Sequence, residues 1–397
     1  MPVPVQADPG RTASPEATRW DRVDGDVLAG PSRDFRVGLL VPMCGSAGIW
    51  GPSCIASAEV AAFELNRRDG VAGRNVRLIL IDSAVEAPMP VEGIVDTLIE
   101  SRSIDAIVGM HISAVRQSLT KVVRGRVPYV YTPMYEGGEN GEGVFAIGDT
   151  PSHQLVPAIR WLHSRYRLRK WALIGNDYVW PRESHRYAKS TLAAMHAALV
   201  YERYLPFAAP NLVAEVESLA KSGADAVLIS LIGQDAVDFN RIFGDQGLDR
   251  RIVRLTCVIE ENGLLASGAE NLRRLFCSSS FFGALATESN ACFREVYHSF
   301  HGHRAPVLGA LGQSTYEGMH FLASLMGDGS ESWPKLCELR TGPITYRSAR
   351  QAAYHSNSNN RLSTFIARAD GVTYQVIEKI FQSQTIEDLL DADSKIT

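Results

Sequence analysis

No two of the six cysteines, at 44, 54, 257, 277, 292 and 337, stand in a C-x-x-C pair, so the common redox and zinc-ribbon signatures are missing. Two lie ten residues apart, but free buried thiols are the expectation in a chain of 397 residues, and they favour a reducing compartment. No stretch approaches about 18 uninterrupted apolar residues, so no membrane span is expected. Residues 1–33 scatter Pro, Asp and Arg and lack the apolar core of a signal peptide. They read as a flexible arm and leave two alternatives: a protein made and kept in the cytoplasm, or a periplasmic or cell-surface one whose export signal has been removed. Positive charge is also short. The formal net charge is -4, and the densest basic pairs are Arg67-Arg68 and Arg273-Arg274, so no direct binding of nucleic acid or anionic lipid is expected.

The motifs of catalysis and cofactor binding are missing as well. Gly45-Ser46-Ala47-Gly48 follows a strand as a phosphate loop does, yet no Lys-Ser/Thr completes it and the glycines do not fit the dinucleotide spacing. His298, His301 and His303 are close together, but no Cys or carboxylate completes a metal-ligand spacing. No Gly-x-Ser-x-Gly elbow occurs, and no Ser, Cys or His stands in a nucleophile context. Neither an enzyme, a cofactor nor a metal is expected.

What the chain does have is alternation. Hydrophobic residues make up 45% and charged ones 21%, an ordinary globular balance, and the length exceeds what one core usually supports. Strands are expected at 35–41, 76–81, 106–108 and 129–131, with helices at 52–68, 91–99 and 113–122 between them. Ser113 is placed to cap its helix through the hydroxyl. After a strand at 143–146 a second series follows: helices at 155–166, 181–195, 216–221 and 236–243 alternate with strands at 171–175, 200–205, 226–231 and 252–255. A strand at 276–281 and helices at 288–300 and 316–326 continue it. Short antiparallel strands at 344–346, 362–368 and 373–377 close the chain, joined by turns at 357–360 and 370–371. The fold class expected is α/β, two doubly wound parallel-sheet lobes joined by a hinge, with the ligand cleft between them. The lobes are drawn as residues 34–148 plus 277–332 and residues 149–276 plus 333–397. Homo-oligomerisation stays open.

Candidate ligand residues cluster where strands end. Gly109-Met110-His111-Ile112-Ser113 joins a strand to a helix, so His111, Ser113 and nearby amides face the cleft with the positive helix end. Tyr131-Thr132-Pro133-Met134-Tyr135 ends the fourth strand and offers flat apolar rings and a hydroxyl, with Thr132 able to donate and accept. From the other lobe come Tyr178 and Trp180, in Asn176-Asp177-Tyr178-Val179-Trp180-Pro181, a strand end turning into a helix that Pro181 opens. Opposed aromatics suit a small planar or uncharged solute.

Gly175-Asn176-Asp177-Tyr178-Val179-Trp180-Pro181-Arg182-Glu183-Ser184, Tyr135-Glu136-Gly137 and Asn360-Arg361-Leu362-Ser363 carry a resemblance. From about Phe35 to Ile377 the chain resembles the type I periplasmic-binding-protein fold, and within it the amide- and urea-sensing branch, most like the amide-binding negative regulators of bacterial aliphatic amidase operons. The resemblance places His111 where the regulators have a tyrosine, keeps the serine at Ser113 and a pocket tyrosine at Tyr131, and sets Thr132-Pro133-Met134 against proline, threonine and proline. Tyr178 matches the tyrosine that closes on the ligand, Trp180 replaces that residue's tyrosine partner, and Ile232-Gly233-Gln234 falls on the remaining cleft-lining turn. Indole is wider than phenol, and imidazole is smaller and titratable, so the cavity is expected to differ from a short-chain amide pocket. Gln234 stands at the cleft turn, with Asp235 and Asp177 the candidate carboxylates for a zwitterion; a neutral solute such as an amide or urea is favoured. The resemblance implies a cytoplasmic sensor that regulates gene expression by sequestering an RNA-binding antiterminator. The alternative is an extracytoplasmic solute-binding component that feeds an ABC permease with amides, urea or branched-chain amino acids.

Overall fold

A computed structural model describes residues 21–22, 32–339, 344–354 and 362–381. The turn expected at 357–360 lies outside these residues.

The first sheet is built from β1 (Asp21–Arg22), β2 (Phe35–Val41), β3 (Val76–Asp82), β4 (Ala106–Gly109), β5 (Tyr129–Tyr131) and β6 (Val144–Ala146). Between them run α1 (Gly51–Asn66), α2 (Val91–Glu100) and α3 (Ser113–Val123). All strands are parallel, in the order β1-β3-β2-β4-β5-β6. β2 is buried along its whole length, as an apolar run flanked by helices on both faces must be. Within the stretch expected as a free arm, Asp21 and Arg22 pair with Ile79 and Leu80 at the edge of β3.

The chain then enters the second lobe with α4 (Pro151–Tyr166), β7 (Lys170–Asn176), α5 (Val179–Ala194), β8 (Ala198–Leu205), α6 (Leu212–Lys221), β9 (Ala226–Ser230), α7 (Gly233–Asp245), β10 (Val253–Thr256), α8 (Glu261–Ser267) and β11 (Leu275–Ser279). It returns to the first lobe with α9 (Glu288–His301), α10 (Ala310–Met326), α11 (Trp333–Leu339) and the small hairpin β12 (Ile344–Thr345) and β13 (Ala353–Tyr354). Finally β14 (Thr364–Asp370) and β15 (Thr373–Phe381) add antiparallel strands to the second sheet, whose order is β15-β14-β11-β10-β9-β7-β8. Residue 277, where the sequence places a lobe boundary, lies inside β11. Trp333, Leu336, Ile344 and Ala349, assigned by sequence to the second lobe, pack in the core of the first.

Strand order reverses between β2 and β4 in one sheet and between β7 and β9 in the other. In an open parallel sheet a crevice forms at such a reversal, beyond the carboxyl ends of the strands. The two crevices face each other. The first lobe's core runs on into the second: Trp180, Ile232 and Val258 belong to the same buried apolar cluster as β2, β4 and β5. The lobes are therefore closed on one another. Gln234 N donates to Ser46 O across the gap (2.8 Å), Asn262 Nδ2 to Ile49 O (3.0 Å), and Leu311 N to the Glu260 carboxylate (2.5 Å).

The hinge is held by charge. Asp149 stands on the first crossing, Ser280 on the second, and Arg350 on the segment that leads to the third. Arg350 Nη1 donates to Ser280 Oγ (2.9 Å), which donates to Asp149 Oδ2 (2.7 Å). The same guanidinium pairs with Glu317 of α10 through Nε (2.9 Å) and Nη2 (2.5 Å), and Ser348 Oγ donates to the other Glu317 oxygen (2.5 Å). Both side chains are all but inaccessible, at 4% and 0%.

Candidate ligand cleft

Trp50, Met110, His111, Ile112, Ser113, Tyr131, Pro133, Met134, Tyr178, Trp180, Ile232, Val258 and Leu311 surround one void of about 20 Å³, room for roughly a water molecule in the closed lobes. Most of them follow the carboxyl ends of β4, β5, β7, β9 and β10, so the fold itself brings them together. Five of the eight residues singled out by sequence are here: His111, Ser113 and Tyr131 from one lobe, Tyr178 and Trp180 from the other. The Tyr178 and Trp180 rings lie 6.5 Å apart at 29°, and Phe207 flanks Tyr178 at 5.7 Å.

Local contacts fix the first-lobe wall. His111 Nδ1 lies 3.2 Å from the Ile112 carbonyl, which can only accept, so Nδ1 carries the proton and Nε2 accepts from the Tyr129 hydroxyl at 2.9 Å. Burial pushes the imidazole down to about 3, so the ring stays neutral; the titratable group expected here does not titrate in the ordinary histidine range. Tyr131 donates to the His111 carbonyl (2.8 Å). Its proton being committed, Tyr131 can only accept from the Ser113 hydroxyl 3.4 Å away, a long contact that Ser113 can exchange for a group in the void. The capping role expected of Ser113 is corrected: Ile112 is the cap residue, Ser113 is the first residue of α3, and its hydroxyl makes no cap bond. Its own N–H and the two that follow have no carbonyl within the helix, which aims positive backbone charge at the void. Behind Tyr131 the Arg116 guanidinium lies 5.3 Å from the ring and is paired with Glu136 and Glu139.

Three sequence candidates lie outside the lining. Thr132 is fully buried and donates to Gly109 O (3.3 Å), holding β5 to β4. Gly233 and Gln234 form the contact between lobes: a Cβ on Gly233, whose φ is +50°, would collide with the Ser46 carbonyl. Gln234 bonds that carbonyl through its backbone while its side chain reaches Asp238 (2.8 Å). Asp235 accepts from Asn176 Nδ2 (2.7 Å), Ala208 N (3.1 Å) and Ser46 Oγ (3.4 Å), and Asp177 is exposed and paired with Arg182 (2.7 Å). Neither carboxylate enters the lining. The sequence reading passed over Trp50, just after the Gly45-Ser46-Ala47-Gly48 turn, and Val258 and Leu311, whose segments carry no motif that marks a site. A larger groove, about 620 Å³, runs between Glu261, Leu265, His298, Val307 and Val372 and shares no residue with the cleft. Among the described residues no group of three or more His, Cys, Asp or Glu could hold a metal ion.

A sequence model of the periplasmic binding proteins matches residues 34–339, most of the chain. The chain belongs to the periplasmic binding protein family. As a periplasmic binding protein it is not an enzyme. Similar solved structures include an ABC-transporter solute binding protein of Rhodopseudomonas palustris BisB5 in complex with 3,4-dihydroxy benzoic acid, with 19% identity, 90% of this chain and 99% of that one covered, and a TM-score of 0.77. Another, from Rhodopseudomonas palustris HaA2 with p-hydroxybenzoic acid, has 16% identity, 91% and 100% coverage and a TM-score of 0.76. A branched-chain amino acid transporter substrate binding protein of Streptococcus pneumoniae with isoleucine has 14% identity, 87% and 99% coverage and a TM-score of 0.74. At these identities they establish the shared two-lobed fold. Together with the family match they correct the expectation of a cytoplasmic amide or urea sensor acting on gene expression through an RNA-binding antiterminator. These three are described as transporter components, and the ligands named with them are hydroxybenzoic acids and an amino acid.

Proposed function

We propose that this periplasmic binding protein is the extracytoplasmic solute-binding component of an ABC importer. It takes up a small solute with a flat apolar body and a single carboxylate or carbonyl end, and hands it to an ABC permease. The observation that carries this reading is the make-up of the lining among the described residues: four aromatic rings and two thioethers, no Asp, Glu, Lys or Arg, the phenol hydroxyls of Tyr131 and Tyr178, and one aliphatic hydroxyl, Ser113, at the amino end of α3. The acceptor end would sit on the Ser113 hydroxyl and the unpaired N–H groups of α3, since a helix amino terminus stabilises an anion or a carbonyl oxygen. Tyr178 and Trp180 would then close over the apolar body from the second lobe. An amino acid fits less well. Its ammonium would need an acceptor of negative charge, and Asp235 and Asp177 are occupied elsewhere.

Calorimetry with benzoate, 4-hydroxybenzoate, isoleucine and acetamide tests the reading. Saturable heat with the aromatic acids and none with isoleucine or acetamide is the expected result. Isoleucine binding while both aromatic acids stay silent overturns the ligand class.

A further inference from the structure

We infer that the Trp180 indole gates a second, smaller void behind the cleft, within the second lobe, and that with the ring turned aside this void receives a hydroxyl at the far end of the solute. This rests on the importer reading and names the solute more closely. Trp180 lines the apolar chamber described above, and its ring also walls a separate void of about 10 Å³ behind it, lined by Gln154, Ser184, Ser230 and Cys257 among others. That is the space of about one water or one hydroxyl group. Ser184 stands one turn along α5 from Trp180, so both side chains lie on the same helix face.

Ser184 is 3% exposed, and its buried hydroxyl has no hydrogen-bond partner among the described residues. A buried hydroxyl left unmatched is costly, and its retention needs a reason. Gln154 cannot supply the partner through its amide nitrogen, which donates to the carbonyls of Cys257 (3.3 Å) and Ser278 (2.8 Å). A hydroxyl on the solute can both donate to Ser184 and accept from it. With its acceptor end on Ser113 of the first lobe and its hydroxyl on Ser184 of the second, such a solute would link the two lobes from end to end. That geometry calls for a flat molecule with polar groups at opposite ends, long enough to reach past the turned indole ring.

Benzoate and 4-hydroxybenzoate differ only in the distal hydroxyl, so their affinities for the wild-type protein and for Ser184→Ala isolate it. The wild type is expected to prefer the hydroxylated acid by about tenfold, the worth of one good hydrogen bond. Ser184→Ala should shrink that preference to about twofold or less while leaving benzoate binding as it was, and should melt no lower than wild type. Trp180→Phe, which opens the partition, should strengthen binding of the longer 4-hydroxyphenylpropionate by about fivefold. A wild type without the preference, a preference that survives in Ser184→Ala, or a loss shared equally by both acids overturns the subsite while the importer reading stands. Failure of both acids to bind the wild type overturns the aromatic-acid reading, and the subsite with it.

Discussion

The hinge and the cleft lie on the same boundary between lobes, and they are built from opposite chemistry. At the hinge a buried guanidinium and carboxylate, Arg350 and Glu317, hold one another and reach Ser280 and Asp149 on two crossings. In the cleft lining the surfaces that meet are rings, thioethers and aliphatic groups, and the polar links beside it are hydrogen bonds without an ion pair, such as Gln234 N to Ser46 O, Asn262 to Ile49 O and Leu311 N to Glu260. The difference follows from what each must do. Charges are stable in the interior only when geometry and partners never change, so they belong at a pivot. Surfaces that part and meet again must be wetted and dried at low cost, so uncharged groups belong there.

Breaking the pivot should give the largest effect. Arg350→Met leaves Glu317 buried and unpaired, and should lower stability by about 3–5 kcal/mol in urea unfolding. A loss under about 1 kcal/mol would mean that the hinge charges are solvated and the contrast is false. Next comes Gly233→Ala. The new Cβ meets the Ser46 carbonyl only when the lobes are closed, so ligand affinity should fall by more than about tenfold while stability drops by about 1–2 kcal/mol for the left-handed backbone. Small-angle scattering should show a lobe angle that no longer closes with ligand; normal closure would remove Gly233 from the contact.

Tyr178→Ala should weaken the true ligand by about tenfold with little change in melting temperature, because the ring closes on the cleft rather than filling the core of either lobe. Unchanged affinity in calorimetry takes Tyr178 out of the site. The smallest effect is expected at Glu260, a carboxylate at the meeting surfaces that accepts from Leu311 N of the other lobe. Burial in the closed lobes pushes it up to about 8, while in an unfolded or opened chain it returns toward the ordinary carboxylate range. The closed form therefore holds the proton more tightly. Its advantage is complete below the ordinary carboxylate range, declines as pH rises toward about 8, and is gone above that. The fraction closed, followed by scattering from about pH 5 to about pH 9, should fall for the wild type and stay level for Glu260→Gln. A level wild-type curve would show that Glu260 does not couple to closure.

Much of the fold was readable because its signals are local. Strands such as Phe35–Val41 are continuous apolar runs, helices such as Glu288–His301 begin at a Thr287 hydroxyl that accepts from the Asn290 amide, and the alternation of the two admits few topologies. Tyr131, Tyr178 and Trp180 were legible for the same reason, since Tyr131 ends a strand and the other two stand in the turn and first helical residues after one. The lobe boundaries were not. β14 and β15 join the second sheet while α11 and the β12–β13 hairpin stay on the first, and nothing in their composition tells which sheet edge or helix will take them. The resemblance to the amide-sensing branch sets Gln234 on a cleft-lining turn; the turn's backbone, held by Asn176, spends it on contact with the other lobe.

Periodicity and turn chemistry in the chain alone thus determined that two parallel-sheet lobes would form, and which side chains would stand at the ends of their strands. Only the folded molecule decided that Trp50, Val258 and Leu311 meet those side chains, that Arg350 finds Glu317, and that Ser184 is left without a partner among the described residues, behind Trp180. Burial and pairing depend on what arrives from distant parts of the chain, and a residue's neighbours in sequence carry no record of it.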